Sequence, residues 1–116
     1  MNDNQFYDVW GDALATQDSR EAFISDWATS STLLDPDTPD VEIDMALVEQ
    51  LGKIYDAAHM GIKDLRNITG LTQAKFAKRF CIPQRTVEAW ESTAEGSHRD
   101  CPTYVRLLIA RQLGII

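Results

Sequence analysis

Two cysteines, Cys81 and Cys101, are too few to build a disulfide scaffold, and a chain of 116 residues with 44% apolar content does not need one. Reduced thiols are the expectation. No apolar run approaches the roughly 18 residues that cross a membrane, and the opening MNDNQFYDVW lacks both the basic stretch and the apolar core of a secretion signal. These absences predict a soluble, cytoplasmic protein with no membrane partner. No internal repeat is present, and no alternating apolar and polar run is long enough for a strand. No activated nucleophile, carboxylate pair or phosphate loop can be assembled from the residues present, so neither an enzyme nor a cofactor is expected. His98 and Cys101, with Cys81 distant in sequence, fall short of the four paired ligands of a structural zinc site, so no metal is expected either.

Basic residues are scarce in one half of the chain only. From Met1 to His59, Arg20 and Lys53 stand against 13 acidic residues, a balance of −11, whereas Met60 to Ile116 holds nine basic and five acidic residues, a balance of +4; together they make the net −7. A basic surface attracts polyanions and an acidic one repels them or meets a basic partner, so the split predicts two jobs. The expected organisation is all-α: residues 1–59 as an acidic helical region serving a protein partner or dimerisation, and residues 60–116 as a separate domain.

Three helices are expected in the acidic half. Phe6, Trp10 and Leu14 form an apolar stripe that ends or breaks near Gly11, and in DSREAFISDWA the spacing of Asp18 and Glu21 predicts a capping box ahead of Phe23, Ile24 and Trp27. TSSTLLDPDTPD reads as a loop. Ile43, Leu47, Leu51, Ile54, Tyr55 and Ala58 then repeat on one helical face, with Pro39 suited to a first turn. Gly61 permits a break before a further helix, IKDLRNI.

The stretch LTQAKFAKRFCIPQRTVEAWE reads as two short helices joined by a three-residue turn. Thr72 can cap the first, which turns Phe76 and Phe80 one way and Lys75, Lys78 and Arg79 another. Ala77 is the small residue that lets a second helix cross closely, and Pro83 suits that helix's first turn. Ile82, Val87 and Trp90 can close a small core. The exposed remainder includes Gln84 and Arg85, types suited to adenine and guanine edges in a major groove.

GLTQAKFAKRF and IPQRTVEAWE together resemble the helix-turn-helix of the xenobiotic response element family, the group related to phage Cro and repressor proteins, and CPTYVRLLIARQLG resembles the helix that follows it in many bacterial members. The similarity covers Ile62 to Ile116, about half the chain. It implies a repressor-like transcriptional regulator that binds double-stranded DNA, as a homodimer on a two-fold site. It further implies that Gln84, Arg85, Thr86 and Glu88 face base edges, and that Gln73, Ser92, Thr93, His98 and Arg99 lie at phosphates. The chain departs from the pattern at Cys81, where members often have Gly, and in STAEGSHRD, which is longer than the usual loop and carries Glu95. Two other functions stay open: an antitoxin-like interaction protein whose acidic half binds a basic partner, with DNA binding auxiliary, and a helix-turn-helix used only as a scaffold.

Overall fold

Seven α-helices and no strand make up the residues that the computed structural model describes, 1–30, 32–33 and 44–116. They fall into two compact units, Met1–His59 with Ile116, and Met60–Ile115. None of these helices is long and apolar enough to cross a membrane. The expected first-turn role of Pro39 and the start of the apolar stripe at Ile43 lie outside the described residues.

In the first unit, helix α3 (Met45–Ala58) packs against both α1 (Asp3–Ala15) and α2 (Arg20–Ala28). Asn2 and Gln5 cap the start of α1 reciprocally, side chain to backbone, at 2.8 Å each way. The helix then runs through Gly11, which is exposed, to Ala15, so the expected break does not occur. The buried face is Val9, Trp10 and Ala13, with Phe6 and Leu14 only half-buried at its edges. At α2 the cap is Ser19, whose hydroxyl accepts from the Ala22 N–H at 3.2 Å, and not the expected pair of Asp18 and Glu21. Asp18 instead turns its own N–H to the Thr16 hydroxyl, and its carbonyl accepts from Tyr55 Oη at 2.9 Å. Asp18 thus lies one residue before the cap, with its carbonyl held by a tertiary bond.

Leu51, Ile54, Ala57 and Ala58 of α3 are buried, as is Phe23 of α2, which meets the Tyr55 ring at 5.4 Å. Burying a side chain such as Leu51 or Ile54 contributes about 1.5–3 kcal/mol, which outweighs the surface ion pair of Arg20 with Asp56 at about 1 kcal/mol or less. Gly52 matters to that pair, because a Cβ there would collide with the Arg20 guanidinium lying across α3.

The second unit holds α4 (Ile62–Thr69), α5 (Gln73–Arg79), α6 (Gln84–Glu91) and α7 (Thr103–Gln112). Asp64 caps α4 by accepting from the Gly61 N–H at 2.9 Å, and Gly70 closes the helix at φ 70°. Helix α4 packs against α5, α6 and α7. Ile62, Leu65, Phe76, Ala77, Val87, Ile109 and Ala110 form the core.

Candidate nucleic-acid interface

The corner between α5 and α6 is built from local chemistry. Thr72 caps α5 through the Lys75 N–H. The end of α5 closes with two reversed bonds, Cys81 N–H to Lys78 O at 3.3 Å and Ile82 N–H to Ala77 O at 2.9 Å, the pattern that reverses a helix when one residue turns left-handed. That residue is Cys81 at φ 55°, the only non-glycine with positive φ among the described residues. The connection takes four residues, Phe80 to Pro83, one more than the spacing suggested, because Pro83 caps α6 from outside its first turn. Ala77 is 2% exposed, in keeping with a helix crossing too close for a larger side chain.

Helix α6 is two-faced. Val87 is fully buried, while Gln84, Arg85 and Glu88 are exposed and Thr86 is half-buried. Gln84 Nε2 donates to Glu88 Oε1 at 3.0 Å, one turn along. A carboxylate accepts only, so it fixes which end of the Gln84 amide faces it and leaves the amide oxygen and a second N–H pointing elsewhere.

The far end of α6 is held by Arg66 of α4. Its guanidinium grips Glu91 through two bonds of 2.8 and 2.7 Å and gives a third to the Leu71 carbonyl at 3.1 Å. With the Glu91 side chain 4% exposed and that of Arg66 17%, the pair is largely removed from water. Sequence patterning did not reveal this brace. Glu91 stood within the Trp-Glu motif, but nothing local connects it to a residue 25 positions earlier.

The loop after α6 is tied to itself. Ser92 Oγ meets Ser97 Oγ at 2.7 Å and accepts from the Ala94 N–H, while Thr93 is exposed and bears no bond of this network. His98 places Nδ1 at 2.8 Å from the Ser92 carbonyl and Nε2 at 2.7 Å from Asp100 Oδ1. Both neighbours are acceptors, so the ring satisfies them together only as the doubly protonated imidazolium, and Asp100 first, then the Ser92 carbonyl, raises its pKa above 6.5. His98 faces a cavity of about 410 Å3 shared with Trp90, Cys101 and Arg106, in which burial pushes the Cys101 thiol up to about 11. Arg106 donates to the Met60 carbonyl, which ties α7 to the segment just before the Gly61 cap of α4.

The nine expected site residues therefore separate into groups. Arg85, Thr86 and Arg99 meet at one cavity; Gln84 and Glu88 pair on the open face of α6; Ser92 and His98 are joined by the loop's own bonds, with Thr93 exposed beside Ser92; Gln73 opens α5, half-buried. Of the nine basic residues of this half, Arg66 and Arg106 are half-buried and bonded to the fold, Arg99 is exposed but bonded to backbone carbonyls, and Lys63, Lys75, Lys78, Arg79, Arg85 and Arg111 are exposed. Comparison with protein-family models, curated proteins and solved structures finds no match to this chain. Among the described residues, no cluster of three or more His, Cys, Asp or Glu side chains is placed to hold a metal ion.

Proposed function

We propose that residues 60–115 bind duplex DNA by laying α6 in a major groove, and that the chain is a transcriptional regulator of the repressor type. The observation that carries this reading is the oriented Gln84–Glu88 pair on the exposed face of a helix whose opposite face, at Val87, is fully buried. The Gln84 amide keeps one donor and one acceptor free, the complement of the adenine N7 and N6 edge. The exposed cations Lys75, Lys78 and Arg79 on α5 supply the sequence-independent attraction to phosphates. One short helix reads few base pairs, so two copies on a two-fold site follow naturally. The acidic half then remains for a protein partner or for dimerisation.

The test is selection of duplexes from a random pool by the full chain, followed by fluorescence anisotropy. Gln84→Ala should cost about 1–3 kcal/mol at one base position and relax the preference there. A Gln84→Ala protein with unchanged sequence preference would remove α6 as the reading helix. No duplex retained at low salt would favour the antitoxin-like alternative.

A further inference from the structure

The cavity between α6 and the loop that follows it joins residues whose separate roles the motif does not connect. About 360 Å3 of open space is lined by Arg85, Thr86 and Ala89 of α6 and by Ser97 and Arg99 of the loop. None of the lining residues is acidic. At about 30 Å3 of liquid volume per water, the space admits a tetrahedral anion together with part of a chain attached to it.

Arg99 is anchored from two directions. Its N–H donates to the Ala89 carbonyl at 3.0 Å, which pins the loop to α6, and its Nη1 donates to the carbonyls of His98 and Gly96 at 2.8 and 3.4 Å. These bonds occupy one guanidinium nitrogen and leave the others available. Arg85 has no ion-pair partner among the described residues, and the nearest carboxylate along its helix, Glu88, is bonded to Gln84. The Ser97 hydroxyl is taken up by Ser92 and the Ala94 carbonyl, so it shapes the wall while the Thr86 hydroxyl remains a donor. Two guanidinium groups at one cavity repel each other, and an anion between them turns that repulsion into attraction.

We propose that Arg85 and Arg99 form a single phosphate-binding cleft, assisted by Thr86, and that its ligand is a phosphodiester of the DNA backbone. The assignment rests on the DNA-binding reading and moves Arg85 from a base edge to the backbone. The cleft then fixes the register of α6, while sequence is read by Gln84 and Glu88 alone.

Inorganic phosphate titrated into the full-length protein, followed by 15N NMR of backbone amides and arginine Nε–H groups, tests the cleft. Saturable shifts are expected at Arg85, Thr86, Ala89 and Arg99, and their loss in Arg85→Ala. That variant breaks none of the loop's bonds, so an unchanged Arg99 amide signal in the free protein certifies that the loop is intact. Duplex added to the phosphate-loaded protein should reverse the phosphate shifts. In anisotropy, Arg85→Ala should weaken all duplexes alike and reduce the slope of log K against log salt by about one. Absence of phosphate shifts overturns the cleft, as does an Arg85→Ala protein with relaxed sequence preference and an unchanged salt slope; in both cases DNA binding itself can still stand. Saturable phosphate shifts without any duplex bound at low salt overturn the assignment to the DNA backbone, and with it the DNA reading, and identify the ligand as a free anion.

Discussion

Cys81 carries the one strained backbone position at the α5–α6 corner. A left-handed conformation costs a non-glycine residue roughly 1–2 kcal/mol, and its φ of 55° is what allows the Cys81 and Ile82 N–H groups to close α5. Glycine relieves that cost but loses about 0.5–1 kcal/mol of chain entropy on folding. Cys81→Gly should therefore stabilise the protein by up to about 1 kcal/mol, a rise of a few degrees in thermal midpoint by circular dichroism, whereas Cys81→Val should lower it. The sequence drew attention to this position only through the family resemblance, in which members often have Gly there; the left-handed φ came from the structure. The residue pairing of Gln84 with Glu88 was not anticipated, although the i, i+4 spacing that permits it was present.

At the scale of elements, α6 is held from two sides. Glu91→Ala removes one partner of a largely buried ion pair and leaves the Arg66 guanidinium with only the Leu71 carbonyl, a loss of about 3 kcal/mol in urea denaturation. Glu91→Gln, which keeps an acceptor, should lose less. The other support is the loop closed by His98, whose raised pKa gives the bond pattern a definite pH sense. The stabilisation is complete below the ordinary value of 6.5 and is lost as pH rises through the higher folded value, because deprotonation leaves one ring nitrogen facing an acceptor without a proton. Amide exchange across Ser92 to Asp100 should accelerate, beyond its intrinsic pH dependence, as pH rises above that range, and His98→Gln should abolish this extra term. Helix existence was legible from periodicity, but caps were less so. Asp18 and Ser19 are equally good cap residues, and the Tyr55 hydroxyl on the Asp18 carbonyl belongs to a contact that no local rule contains.

For the whole molecule, charge is the property that matters most. The −11 of Met1 to His59 opposes any approach of the chain to phosphates, while the +4 of the second half favours it. Each unit has its own buried core, so residues 60–116 expressed alone should keep their helical circular dichroism. On the DNA-binding reading, this fragment should bind a given duplex more tightly than the full chain at low salt, with the two curves converging as ionic strength rises. Anisotropy titrations at a series of salt concentrations measure that convergence. Equal affinities at low salt would show that the acidic half is too distant, or too well neutralised, to act on DNA.

What the sequence determined by itself was whatever repeats or acts over a few residues: the all-helical character, the stripe through Leu51 and Ile54, the Thr72 cap, the small Ala77 at the corner and the division of charge. A period of 3.6 and a cap two or three residues from its target are local quantities, and composition is a sum. Tertiary structure alone decided that Arg66 reaches Glu91 and that Arg85 and Arg99 face the same cavity. Those outcomes depend on where helices cross and how a loop folds back, and a chain's local preferences do not contain the distances between residues far apart along it.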